Sequence, residues 1–192
     1  DSLELKLEIE IRKWMEEAVK ISEVRIPRGL QGTRGSDTTF HVFSDASAVA
    51  FGAVVYIREV REGVVETNLI AAKSKVAPIK TISIPRLELL GACVGVKLMK
   101  KIAQGLGIKI EEITYWSDSK DVLYWIKQQS RLYKPFVANR VGSIQELTLP
   151  KQWRYVPTKL NPADLLRRGI SADECVESKL WWQGPDFLKM ER

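Results

Sequence analysis

The sequence has little that reacts or coordinates through nitrogen or sulfur. It contains two cysteines, Cys93 and Cys175, and one histidine, His41. Two cysteines cannot build a disulfide framework, and with a single histidine they make no convincing zinc site. The shortage also removes every mechanism that needs a catalytic histidine anywhere but position 41. Long apolar runs are missing: no stretch of about 18 apolar residues is there to span a bilayer. No basic-then-apolar leader marks secretion, and no internal repeat is visible. The expectation is an intracellular, reduced, soluble protein.

What is present is ordinary globular material, 192 residues with 45% hydrophobic and 28% charged side chains. That length suits one domain with an appendage, or two small domains, and suffices for a sizeable core. The net charge of +6 is unevenly spread. Residues 1–24 hold seven acids and four bases, so the other 168 carry 26 bases against 17 acids. A basic body behind an acidic leader suggests a polyanionic partner, bound by phosphate neutralisation, or simply solubility charge.

The opening segment carries two periods. Leu3, Leu5, Leu7, Ile9 and Ile11 alternate as in a strand, whereas Leu7, Ile11, Trp14, Ala18 and Ile21 step as in a helix. Good helix formers without a turn residue favour helix. Gly29 to Asp37 is a linker by composition. Strand-like runs follow at Thr39–Asp45, Ala50–Arg58 and Val64–Lys73, the last two joined as a hairpin by Glu59–Gly63. Pro85 opens a helix that Gly105 and Gly107 close. Ile113–Ser117 is a fourth strand, Ser119–Gln129 and Pro135–Leu147 are helices, and Gln152–Val156 is a fifth strand. Asn161-Pro162 then starts a helix through Arg168. On the 119–129 helix, Tyr124 and Trp125 are read as core. Strands that first meander and then alternate with helices describe a mixed sheet.

Four acids stand at informative places: Asp45 as the first strand ends, Glu88 in the first turns of the Pro85 helix, Asp118 at the end of the fourth strand, and Asp164 in the last helix. Singly, Asp45 is a turn former, Asp118 a helix cap and Asp164 a charge suited to a helix N-terminus. Glu88 is harder to set aside, because Gly91, Ala92 and Gly95 on its face suggest close packing on the sheet, where a carboxylate needs a partner or a metal. If the first and fourth strands are neighbours, their carboxyl ends bring Asp45 and Asp118 together. Clustered carboxylates require cations, and oxygen-only ligands select magnesium or manganese. Two such ions about 3.5–4 Å apart clamp an in-line phosphoryl displacement, which needs neither histidine nor cysteine.

On these residues the sequence resembles the ribonuclease H-like domain of reverse-transcriptase polyproteins, most closely that of BEL/Pao-type LTR retrotransposons. The segments that carry the resemblance include Ile26-Pro27-Arg28, Phe43-Ser44-Asp45-Ala46-Ser47, Ile84-Pro85-Arg86-Leu87-Glu88, Trp116-Ser117-Asp118-Ser119, Asn161-Pro162-Ala163-Asp164 and Leu180-Trp181-Trp182. The resemblance implies a ribonuclease H-like α/β fold: a five-stranded mixed sheet, strands 1–3 antiparallel and strands 4 and 5 parallel, with helices on both faces. A helical leader and linker (1–36), that domain (37–170) and a C-terminal tail (171–192) make up the chain. Asp45, Glu88, Asp118 and Asp164 would hold two magnesium ions, with manganese accepted. The implied reaction is endonucleolytic hydrolysis of RNA in an RNA–DNA hybrid, beside a reverse transcriptase domain, in a cytoplasmic or nuclear retroelement particle. Lys159, Arg167, Arg168, Arg131 and Lys134, with Ser47 and Ser119 in the two aspartate motifs, are the candidate nucleic-acid contacts.

Two departures stand out. The loop after the fifth strand reads Pro157-Thr158-Lys159-Leu160, without the histidine many ribonucleases H place there. Arg167 stands where the family usually has serine. The rival reading is a ribonuclease H-like domain that binds nucleic acid or a protein without cutting. A proofreading exonuclease would want a second acid at Ser47, and an integrase-type transferase would place its glutamate last.

Overall fold

The computed structural model describes residues 2–22, 24, 37–109 and 112–190. The Ile26-Pro27-Arg28 segment and the linker stretch 29–36 lie outside the described residues. Strands β1 (Thr38–Ala46), β2 (Ala50–Arg61), β3 (Val64–Val76), β4 (Ile113–Ser117) and β5 (Trp153–Tyr155) form one sheet in the order β3-β2-β1-β4-β5. The β1–β2 and β2–β3 pairs are antiparallel, and β1–β4 and β4–β5 are parallel. This is the mixed sheet that the sequence predicts. The hairpin turn is tighter than predicted: β2 and β3 pair out to Arg61 and Val64, leaving only Glu62 (φ 49°) and Gly63 (φ 80°) between them. Positive φ at both central residues matches the right-handed twist of the flanking strands.

The central strands β1 and β2 are buried on both faces, so the sheet needs two covers. One is α2 (Ile84–Leu106), with α3 (Lys120–Lys127) and α4 (Pro135–Gln145), which closes over Phe40, Val42, Ala53, Val55 and Ile57. The α2 helix ends at Gly107, whose left-handed φ of 65° lets its N–H reach the Ala103 carbonyl. The other cover comes from α5 (Asp164–Arg168), α7 (Lys179–Gln183) and a terminal 3-10 turn, which place Trp181, Phe187 and Leu188 over Phe43, Val54 and Tyr56. Residues beyond 170 therefore form one wall of the core. Helix α1 (Ser2–Ile21) is formed as predicted, with Leu7, Ile11 and Trp14 exposed; its far end meets α6 (Ala172–Glu177), where Lys20 Nζ lies 2.8 Å from Asp173 Oδ1. Tyr124, expected in the core, is exposed, because α3 turns Val122, Leu123 and Ile126 inward instead. Trp125 packs at the core margin, edge-on to Tyr133.

The small face of α2 sets how close the helix comes to the sheet. A Cβ at Gly91 would lie 2.8 Å from the Asp45 carbonyl oxygen, whereas one at Gly105 would meet nothing. Alanine ordinarily favours a helix over glycine by about 1 kcal/mol. Gly105→Ala should therefore stabilise the protein by about 0.5–1 kcal/mol in urea denaturation. Gly91→Ala should lose about 1–2 kcal/mol, because overpacking outweighs propensity. Equal shifts for both would mean that α2 does not pack as closely as the structure shows.

Candidate active site

The four acids lie around the carboxyl ends of β1 and β4, near enough to repel one another but not gathered into one cluster. Parallel pairing sets Ser44 opposite Ser117, so the next residues, Asp45 and Asp118, emerge side by side. Gly91 lets α2 lie on the Asp45 carbonyl, and Glu88, one turn earlier, is carried to the same strand ends. Glu88 is half-buried near the Ser119 hydroxyl, which caps α3 by accepting from Val122 N at 3.3 Å. Asp164 is buried at the start of α5.

Asp45 is 4% exposed, and its Oδ1 accepts from Ala46 N at 2.7 Å. Its Oδ2 is buried with no hydrogen bond. The Nε of Arg167 lies 2.8 Å from that oxygen, but the Nε–H is directed at Asp164 Oδ1, 2.6 Å away. The contact with Asp45 is thus an ion pair without an aligned donor. The Nη2 of Arg167 also meets Asp164 Oδ1, and Arg168 Nε lies 2.6 Å from Asp164 Oδ2. Burial, and then repulsion from Asp118, pushes the Asp45 carboxyl from 3.8 up to about 7, against the pull of the Ala46 N–H and Arg167. Burial raises Glu88 as well, partly offset by the Ser119 hydroxyl. Burial works against the Arg167 charge, but Asp45 and Asp164 hold its pKa above the ordinary value.

Sequence reasoning missed Asn161, which it read only as a helix start. The side chain is 1% exposed; its Oδ1 accepts from Ala163 N at 3.1 Å. Its Nδ2 donates to Ser44 O at 3.1 Å and to Asp118 Oδ1 at 3.3 Å. One amide thus ties β1, Asp118 and α5 together. The Asn-Pro dipeptide was the available signal, but α5 begins only at Asp164 with Ala163 as its N-cap, and the dipeptide says nothing of the Ser44 and Asp118 partners. Asn161→Ala strands the buried Ser44 carbonyl and Ala163 N–H and takes a donor from the half-buried Asp118, and should cost about 2–3 kcal/mol of stability in metal-free urea denaturation. An unchanged midpoint would show that these bonds contribute nothing.

The donor set suits a divalent cation in kind. All four groups are carboxylates, and Asp45 Oδ2 is a buried anionic oxygen with no hydrogen bond, which a cation would satisfy. Among the described residues, however, no three acid, histidine or cysteine side chains are drawn together closely enough to hold an ion. Three of the four acids are engaged by other groups: Arg167 pairs with Asp45 and Asp164, and Asn161 donates to Asp118.

The other candidates divide by position. A cavity of about 360 Å³ on the Asp164 side of the site is lined by Thr158, Lys159, Asn161, Asp164, Arg167 and Arg168, among others. Lys159 and Arg168 are exposed there. Arg167 is turned inward to the carboxylates. Arg131 and Lys134 stand exposed on the connection between α3 and α4, where Arg131 Nε donates to Gln129 Oε1 at 2.8 Å. The Ser47 hydroxyl is engaged in the β1–β2 turn, accepting from Val49 N and Ala50 N at 3.2 Å each.

Residues 1–119 match the family model described as the Pao retrotransposon-like RNaseH-like domain. Among curated proteins, none matches the sequence. Solved structures similar to the chain include the N-terminal RNase H domain of a Mycobacterium tuberculosis protein, solved fused to maltose-binding protein. It has 16% identity and a TM-score of 0.42, covering 72% of this chain and 93% of that one. RNase H1 from Halobacterium salinarum matches with 14% identity and a TM-score of 0.40, covering 74% and 98%. LC11-RNase H1 in complex with an RNA/DNA hybrid matches with 9% identity and a TM-score of 0.45, covering 71% and 95%. Among the described residues, no helix is long and apolar enough to cross a membrane.

Proposed function

The chain belongs to the Pao retrotransposon-like RNaseH-like domain family, and from that premise we propose that it is an endonuclease cutting the RNA strand of RNA–DNA hybrids during retrotransposon reverse transcription. What supports this reading is the placement of Asp45, Asp118, Glu88 and Asp164, from four separate elements, around the carboxyl ends of two parallel neighbouring strands. Such strand ends are where open α/β sheets place their sites.

Asp45, Glu88, Asp118 and Asp164 would hold two magnesium or manganese ions, which when bound supply an activated water and charge stabilisation at the leaving oxygen. The chain's own groups do the positioning. Asn161 orients Asp118, and the Ala46 N–H fixes one oxygen of Asp45. Recognition would be by shape: phosphates on both strands and 2′-hydroxyls across a widened minor groove. Lys159 and Arg168 lie beside the acids to take one strand, while Arg131 and Lys134 lie on a separate exposed stretch. The natural setting on this reading is a reverse transcriptase polyprotein within a cytoplasmic or nuclear retroelement particle.

The test is cleavage of an end-labelled RNA–DNA hybrid against duplex DNA of the same sequence. Magnesium and manganese should support cutting of the hybrid alone, and calcium should not, because it prefers more ligands at longer distances. One observation favours a second reading, binding without cutting: a guanidinium already sits among the carboxylates. Salt-dependent hybrid binding with no cleavage at any magnesium or manganese concentration would establish that reading instead.

Lys159 provides a smaller prediction. It is exposed on the cavity rim, where an ammonium suits phosphate binding. Lys159→Ala should raise KM several-fold with little change in kcat and reduce the salt slope of hybrid binding by about 1. If affinity and slope both stay put, the lysine does not touch the substrate.

A further inference from the structure

Arg167 is the feature that the proposed reaction does not use. A side chain pointing to solvent at the end of a five-residue helix would be a plain phosphate contact. Arg167 instead folds back across α5 to Asp164 and to Asp45 on β1, and only 29% of its side chain remains exposed. Its neighbour Arg168 also pairs with Asp164, but from outside, at 60% exposure. The two arginines therefore hold different positions relative to the same carboxylate. Arg168 decorates the site, whereas Arg167 sits between two of its acids.

We infer that Arg167 is an intramolecular counter-ion that occupies the carboxylate centre when no metal is bound and must be displaced for a divalent cation to enter. This rests on the metal-dependent reading above and adds to it a residue that sets the metal concentration at which the site fills. Two observations beyond the ion pairs support it. The guanidinium draws two of the four acids to itself, and no three acids are gathered for an ion among the described residues. Its fit is also incomplete: one Nε–H cannot serve Asp164 and Asp45 at once, so Asp45 Oδ2 stays buried without a hydrogen bond. An occupant that leaves a buried carboxylate oxygen without a hydrogen bond can be displaced by one that satisfies it. The displaced side chain has room in the adjoining cavity of about 360 Å³, between Lys159 and Arg168.

A purely structural arginine and a competing cation respond differently to removal. In either case Arg167→Ser should melt earlier without metal, since the acids then face one another unscreened. Only a competitor makes the site easier to fill when it is lost. Manganese binding, followed by titration calorimetry and by the quenching of the free-ion paramagnetic resonance signal, should be about tenfold tighter in Arg167→Ser than in the parent. The melting temperature of that variant should rise further with manganese than the parent's does. Arg167→Lys, which keeps the charge but loses the fork, should fall between them and provides a well-folded comparison. Arg168→Ser removes a charge bonded to the same Asp164 and should tighten binding by less than about threefold.

Equal manganese affinity in the parent, Arg167→Ser and Arg167→Lys would overturn the inference and leave the nuclease reading standing. Equal tightening by Arg168→Ser would also overturn it, reducing the effect to general charge. Absence of manganese binding in all four proteins, with no hybrid cleavage, would remove the inference and the metal-dependent reading together.

Discussion

Asp118→Asn should leave a folded protein that no longer cuts. Asp118 stands beside Asp45 at the end of β4, and repulsion from it is the second-largest cause, after burial, of the raised Asp45 carboxyl. The amide keeps the size of the side chain and can still accept from Asn161, but it takes one negative charge from a centre that needs several. Changing even the outer partners of metal ligands typically costs about 10–100-fold, so on the proposed metal-dependent reading the loss of Asp118 should reduce hybrid cleavage by more than about 100-fold. Stability should move the other way. Without metal, the melting temperature should hold or rise by a few degrees, about 2–4 °C per kcal/mol of relieved repulsion.

The pH dependence follows with a definite sign. The Asp45 carboxyl lies near 7 in the folded protein and near 3.8 when unperturbed. Between those values the folded state holds a proton that the unfolded state has released. Metal-free stability therefore falls as pH rises through that window, and it is fully present below it. Asp118→Asn should flatten the fall, because it removes one of the causes that raise Asp45. A variant that cuts at the parent's rate, or melts earlier at every pH, would take Asp118 out of the site.

What the sequence made legible follows from local physics. The β1–β2–β3 meander and β4 are short apolar runs bounded by turn residues, so their pairing and their carboxyl ends could be placed. Asp45 and Asp118 came together in reading because parallel neighbours end side by side, whatever their side chains do. The close approach of α2 was visible in Gly91 and Gly95, whose missing Cβ atoms would otherwise press on Asp45 O and Val42 Cγ1. The fate of Arg167 was not visible. Its position relative to Asp164 is local, but whether it turns outward to phosphate or inward to Asp45 depends on a strand over 100 residues away. Asn161 was hidden for the same reason, since two of its three partners are distant in sequence. The C-terminal segment carried a signal that went unused: Phe43, Val54 and Tyr56 lie on the face of β1 and β2 opposite α2. Apolar residues on both faces of a strand demand two covers, and α5 alone is too short to provide the second.

That second cover is the basis of the other large effect expected. Ending the chain after Ile170 should abolish the cooperative fold. The removed segment buries Leu188 to 3% exposure and lays Trp181 and Phe187 on the sheet, the latter 4.9 Å centroid to centroid from Trp116. It also supplies backbone acceptors to buried side chains. Tyr56 Oη donates to Trp181 O at 2.7 Å, Thr67 Oγ1 to Gln183 O at 2.6 Å, and Arg58 Nε to Leu188 O at 2.6 Å. Exposing Phe43, Val54 and Tyr56 costs roughly 1.5–3 kcal/mol each. Arg58, buried at the β2 end, would lose the carbonyl that its charge is aimed at, at about 1–3 kcal/mol more. Together these match the about 5–15 kcal/mol by which whole domains are stable. The truncated chain should keep much of its far-ultraviolet circular dichroism, lose the near-ultraviolet signal of its packed tryptophans, and bind a hydrophobic dye. Leu188→Ala is the graded version: the fold should survive with about 2–4 kcal/mol lost in urea denaturation. A chain ending at Ile170 with the full-length melting temperature would show that the sheet's second face needs no cover from this segment.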